Sequence, residues 1–571
     1  MKKTLSIILI VSMILTMLVI VPLTANANEK SIAETAAASG TTGDCAWKIE
    51  GGVLTISGDG KMGSYEIDTN KAPWRRYTFS SAVIEKGVTS IGKYAFYNCG
   101  SLTRVTVSDT VTGIGIMAFF NCSGLTDLTI GSSVKIIGEY AFYGCKTLTK
   151  AAIPDAVTSI GKGAFSGCAG LTSINIPDSV TSIAENTFSG CKGLTSIDIP
   201  RSVTSIGEGA FSGCTGLTSI DIPDSVKSIP NSAFNGCTGL TSIDIPTSVT
   251  SIGNYAFRNC TALAGIDIPD TVTSIGGYAF YGCTGLTSMD IPDSVTSIGG
   301  SAFSDCTRLK SIDIPDSVTS INYRLFFNCR ELTDIDIPRS VTIIDTSSFN
   351  GCKRLTGVTI PDSVTSIALM AFRGCTGLTS ITIPDSVTSI GQMAFESCTG
   401  LKSVTIGNSV TSIGNEAFYN CSNLTSAAIG NSVVSIGYNA FCNCEKLNSV
   451  TIPKSVYSIG SKAFGYFKDV DFNIEYKVDD FTIYGYKKSM AESYAGNNGF
   501  TFVPLDGQTT EPTQAPTQAP TTAPSDPTKT TDREIFGDID GDGAITIVDT
   551  TFLQRYTIKV ETPYPIGEKI K

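Results

Sequence analysis

Sixteen cysteines stand at one unbroken interval of 23 residues, from Cys99, Cys122 and Cys145 to Cys398, Cys421 and Cys444. An interval kept without insertion or deletion means that every unit meets the next in the same way, so the chain must stack turns along one axis. Counted from each Cys, the unit approximates Cys-Thr-Gly-Leu-Thr-Ser-Ile-Asp-Ile-Pro-Asp-Ser-Val-Thr-Ser-Ile-Gly-x-x-Ala-Phe-x-Gly. Phe stands three residues before each Cys (Phe96 and Phe119 through Phe441), Val eleven before (Val88, Val111, Val134), Ile eight before (Ile91, Ile114, Ile137) and Leu three after (Leu102, Leu125, Leu148). These are the predicted core positions. The stretch from Leu to Pro alternates apolar and polar as a short strand does, and Val-Thr-Ser-Ile after the Pro-Asp-Ser turn offers a second one. One 23-residue unit cannot bury its own apolar face, so stability must come from its neighbours.

The same interval decides what the thiols do. Lys2 and Lys3, an apolar run from Leu5 to Val21 and Ala25-Asn26-Ala27 read as a secretory signal peptide. The run is nearly long enough to span a bilayer, and the small-x-small site favours cleavage, with the mature chain beginning near Asn28. Export would ordinarily make the 18 Cys a disulfide framework. A solenoid period instead sets the Cα–Cβ bonds parallel, whereas a disulfide needs them to converge. The expectation is a ladder of buried free thiols, with Cys45 and Cys442 outside it. There is no His in the chain, which excludes Ser-His-Asp and Cys-His nucleophiles and imidazole metal sites. The net charge of −11 argues against nucleic acid, whose phosphates need a basic stripe.

With Leu-x-x-Ile-x-Ile-Pro as strand and Ile-Gly-x-x-Ala-Phe-x-x-Cys as return segment, the array resembles the BspA-type leucine-rich repeats of bacterial surface proteins over about two thirds of the chain. The resemblance implies a curved right-handed solenoid whose Leu-x-x-Ile-x-Ile strands form a parallel sheet on the concave face. At ~4.8 Å per strand that sheet would run roughly 80 Å.

The implied organisation is a signal peptide over 1–27, an N-terminal β cap over 28–80, the repeat array over 81–467, a C-terminal cap over 468–507, a Pro/Thr-rich linker over 508–533 and a small calcium-binding α-helical module over 534–571. Trp47 and Trp74 and a hairpin within Trp47–Ile56 suit the first cap. A seventeenth unit keeps Val456, Ile459 and Phe464 but has Phe467 where Cys is due; a strand, helix, strand sequence from Phe481 to Val503 suits the second cap. The linker repeats Pro-Thr-Gln-Ala and cannot form a core, so it is expected to be an extended spacer.

From Asp538 to Asp549, oxygen ligands fall at the positions of a calcium loop: Asp538, Asp540, Asp542, Thr546 and Asp549, with the Ala544 carbonyl and the turn at Gly543. Followed by Thr551–Tyr556, this resembles a type I dockerin, which plugs secreted proteins into cohesin domains of a scaffold. The resemblance carries cohesin contacts onto Ile547, Val548, Gln554, Arg555 and Lys559. Dockerins carry two such loops and one stands before Lys571, so residues 534–571 are expected to bind calcium and cohesin weakly.

Seven successive units place Asp seven residues after the Cys: Asp198, Asp221, Asp244, Asp267, Asp290, Asp313 and Asp336; Thr106, Thr129, Thr359, Thr382 and Thr405 hold the same position in flanking units. Strand alternation turns these side chains outward between two buried Ile. The row is either a solubilising residue copied by duplication or a docking face for cations or basic ligands. No unit departs from the array to make a catalytic pocket, and every carboxylate pair repeats with the period. The reading is a secreted, non-catalytic binding protein tethered through its dockerin to a cellulosome-like scaffold, its repeats recognising an unidentified protein or polysaccharide. The alternatives are a cell-surface adhesin and an accessory part of a polysaccharide-degrading enzyme system.

Overall fold

A computed structural model describes residues 38–469 and 474–506 of the chain. Turns of 23 residues stack in a β-solenoid with two columns of short strands, and neighbouring strands of each column pair in parallel with their equivalents one turn away. In the first column, Val53–Ser57, Ser81–Ile84, Arg104–Val107 and Asp127–Thr129 follow in register. In the second, seven strands run from Ser320–Ile321 to Ser458–Ile459.

The core is filled by equivalent residues meeting their own copies. In the turn that starts at Cys214, Leu217, Ile220, Ile222, Val226, Ile229, Ala233 and Phe234 are buried, while Thr218, Ser219 and Asp221 are exposed. The Phe rings form one continuous stack from Phe96 to Phe464. Their centroids lie 4.7 Å apart at Phe96–Phe119, 6.0 Å at Phe165–Phe188 and 4.8 Å at Phe441–Phe464. Parallel offset rings at these separations are attractive beyond their burial.

Backbone polar groups are satisfied between turns in both directions. Strand segments donate to the preceding turn (Gly276 N to Ile252 O, 2.8 Å) and return segments to the following one (Phe257 N to Ala279 O, 2.8 Å). Just before each Cys the backbone enters the left-handed region, at Gly213 (φ 72°), Asn259 (φ 58°) and Asn420 (φ 62°), which accounts for the Gly and Asn found there.

The thiols complete this scheme. All 18 are buried and unbridged. From Cys122 to Cys444 each Sγ donates to the carbonyl of the Phe 26 residues earlier, for example Cys122 to Phe96 at 3.1 Å, Cys306 to Phe280 at 3.1 Å and Cys444 to Phe418 at 3.3 Å. That carbonyl also accepts from the Cys backbone N–H of its own turn, as Phe280 does from Cys283 at 3.1 Å. A residue here must be small, apolar and able to donate one bond, which describes Cys. Burial pushes the thiols of Cys283, Cys352 and Cys398 up to about 12, so thiolate does not form at neutral pH.

At the N-terminal end Ala38–Thr42, Cys45–Glu50 and Val53–Ser57 form an antiparallel sheet, and Val53–Ser57 then pairs in parallel with Ser81–Ile84. Trp47 and Trp74 meet edge to face at 6.0 Å, and Trp74 packs on Phe96, the first ring of the stack. At the other end the chain leaves the array at Gly465 (φ 72°) into an antiparallel hairpin of Tyr466–Asp469 with Ile474–Lys477. Thr482–Gly485 and Thr501–Pro504 extend the first strand column in parallel. Between them the helix Met490–Asn498 places Tyr494 against the last rung, its hydroxyl donating to Phe464 O and accepting from Phe464 N, both at 3.0 Å.

The first column departs from one unbroken sheet. Pairing is full at Ser380–Ile383 with Ser403–Ile406 and shrinks to single bridges at Asn175 with Asp198 and Asp221 with Asp244. Much of this thinning falls within the Asp row, although Ser288–Asp290 and Ser311–Asp313 stay fully paired there.

Candidate functional site

The exposed face of the first strand column repeats the same outward positions from turn to turn. Its outward positions are set by alternation: in Ser288–Asp290, Met289 is buried while Ser288 and Asp290 face solvent. All seven Asp of the row, Asp198, Asp221, Asp244, Asp267, Asp290, Asp313 and Asp336, are exposed. Asp290 and Asp313 are direct register partners, as are Thr106 with Thr129 and Thr382 with Thr405 on either side of the acidic block. In-register parallel neighbours lie ~4.8 Å apart, so each adjacent pair repels by roughly 0.9 kcal/mol in unscreened water. Within the row, Lys310 stands where most turns have Thr just before the strand. Among the described residues no three His, Cys, Asp or Glu are grouped to hold a metal ion.

At one end of the row the face opens into a groove of ≈ 1000 Å³ lined by Asp336, Thr359, Thr382, Thr405, Asp362 and Asp385 among others. Gly357 replaces the usual Ser here and Val358 is only half-buried, so this rung covers its apolar interior less completely. The spacing of Asp and Thr indicated the face; the groove could have been suspected only from Gly357. The calcium-loop residues Asp538, Asp540, Asp542, Ala544, Thr546 and Asp549, and the cohesin-contact residues Ile547, Val548, Gln554, Arg555 and Lys559, lie outside the described residues.

Stacked 23-residue turns, each with a Leu-x-x-Ile-x-Ile strand and a Phe-x-x-Cys return, define a leucine-rich repeat solenoid. The family model described as "BspA type Leucine rich repeat region" matches residues 74–195, 181–309, 250–379 and 367–491, without a gap and over more than half the chain. The chain belongs to that family. Among solved structures it is similar to a leucine-rich repeat protein from Bacteroides ovatus, with 30% identity over 74% of this chain and 94% of that one and a TM-score of 0.49. It is also similar to one from Eubacterium ventriosum, with 30% identity over 64% and 95% and a TM-score of 0.42. A leucine rich cell surface protein from Faecalibacterium prausnitzii shares 31% identity over 61% and 95%, with a TM-score of 0.37. No curated protein matches significantly.

Proposed function

We propose that this chain is an exported, surface-associated, non-catalytic binding protein whose first strand face recognises a partner carrying positive charge. The observation that carries the reading is the row of seven exposed Asp at one position of successive turns, ending in a Thr-lined groove. A carboxylate repeated at every rung matches an extended basic chain better than a compact ligand, because each rung offers the same contact. The leader-like N-terminus supports export, and the repeat family supplies a scaffold that presents a surface without catalytic groups. Replacing Asp244, Asp267 and Asp290 by Asn in the full chain should weaken capture of poly-lysine at low salt severalfold. Equal capture by the variant and the unaltered protein would discard the reading.

A second reading, favoured by the run Asp538–Asp549, adds a calcium-dependent tether: the loop binds calcium and the helix after it docks on a cohesin, placing the repeats on a scaffold. Calcium calorimetry on the full chain, with and without Asp538→Ala and Asp542→Ala, tests the loop, and a cohesin panel tests the tether. Calcium binding that survives both substitutions would sink it.

A further inference from the structure

The last complete turns hold a pocket that the repeat does not predict. Where the array ends, Tyr419 and Cys442 occupy the same position on successive turns, and the chain then turns outward at Gly465. The hairpin beginning at Tyr466 closes the far side. The resulting cavity, ≈ 220 Å³, is lined by Glu416, Tyr419, Tyr438, Asn439, Cys442, Lys462, Tyr466 and Phe467. Its lining carries an unmet hydrogen-bonding demand. Asn439 is 9% exposed, and its Oδ1 has no hydrogen-bond partner among the described residues. A buried acceptor left unpaired costs roughly 1–3 kcal/mol, so the site favours a ligand that brings an O–H or N–H donor to it.

The other walls narrow the class of ligand. Tyr438, a lining residue, is 45% exposed, and the Tyr419 hydroxyl accepts from Asn443 Nδ2 at 3.3 Å. Aromatic faces carry partial negative charge and attract the weakly positive C–H bonds of a saturated ring. Among the described residues, one carboxylate, Glu416, and one ammonium, Lys462, line the cavity together. The volume equals that of about seven waters, too small for most drug-sized molecules.

We propose that this pocket binds one neutral pyranose, either a free sugar or the terminal residue of a neutral glycan, with Asn439 Oδ1 accepting from a sugar hydroxyl and the Tyr438 ring facing its C–H edge. This site is separate from the Asp face and stands or falls without it.

Saturation-transfer NMR and calorimetry on the full chain with the methyl glycosides of glucose, galactose, mannose and N-acetylglucosamine, and with neutral oligosaccharides ending in each, test the proposal. At least one should bind, and tighter binding of the oligosaccharide would mark a glycan terminus as the source. Asn439→Ala should weaken binding about tenfold, the loss of one buried hydrogen bond. Tyr438→Ala, at a position exposed enough to leave the fold intact, should weaken it severalfold, while Asp267→Asn leaves it unchanged. The proposal is overturned if none of the sugars binds, if a sugar binds equally well to the Tyr438 and Asn439 variants, or if a zwitterionic amino acid displaces it from the pocket.

Discussion

Removing one ring from the middle of the Phe stack should break the solenoid into two units that melt separately. Phe280 is fully buried between Phe257 at 5.4 Å and Phe303 at 5.6 Å. Phe280→Ala leaves the rung's backbone bonds in place, including Phe280 N to Ala302 O at 2.8 Å and Cys306 Sγ to Phe280 O at 3.1 Å, so the loss is that of the side chain alone. A buried Phe removes about 150 Å² or more from water, worth about 4 kcal/mol at 25 cal/mol/Å². Two ring contacts add about 1 kcal/mol each, and a compact unfolded state takes some of this back, so about 4–5 kcal/mol is expected, at the top of the measured range for Phe→Ala. In a one-dimensional array this penalty falls on the interfaces of one turn with its two neighbours. Urea unfolding followed by circular dichroism, with hydrogen exchange read by mass spectrometry, should show two transitions split near residue 280. Phe441→Ala, beside the C-terminal cap, should only fray that end. A single transition with an unchanged midpoint would show that the ring stack is not what couples the turns.

The thiol ladder should resist alkylation at pH 8 in the native protein, with Cys122 to Cys421 labelling only in guanidinium; extensive native labelling would refute it. Alkali should destabilise the fold: unfolded thiols ionise near 9.0 while Cys283 and Cys352 are pushed up to about 12, so their stabilisation is whole below pH 9 and declines as pH climbs toward 12. A urea midpoint flat from pH 8 to 11 would contradict this. Asp267→Asn, which removes repulsion from Asp244 and Asp290 alike, should raise stability by up to about 2 kcal/mol at low salt and by nothing measurable in 1 M salt, and a salt-independent gain would rule out repulsion as its cause. Tyr494→Phe should cost about 1–3 kcal/mol by leaving both Phe464 backbone groups unpaired; exchange at the C-terminal cap should accelerate while the N-terminal turns stay protected.

In a periodic array each residue meets a copy of itself one turn away, so a pattern in one dimension is enough to state the three-dimensional neighbours. That is why the Cys interval alone implied register, why Val, Ile, Leu and Phe at fixed offsets were readable as core, and why parallel thiols were readable as unpaired. The outward direction of Asp198 through Asp336 followed from the same alternation. Tertiary structure decided what depends on contacts between unlike positions. The Sγ bond to a Phe carbonyl 26 residues earlier spans more than one period and depends on how far each turn is offset from the last. The thinning of the first sheet, full at Ser288–Asp290 with Ser311–Asp313 and reduced to a bridge at Asp221 with Asp244, is a feature no spacing expresses. At Gly465 the period stops, and with it the rule that neighbours are copies. The pocket of Tyr438, Asn439 and Cys442 exists because a hairpin outside the repeat begins at Tyr466 beside the last turns. Only the second cysteine of that turn, Cys442, marked the place in the sequence.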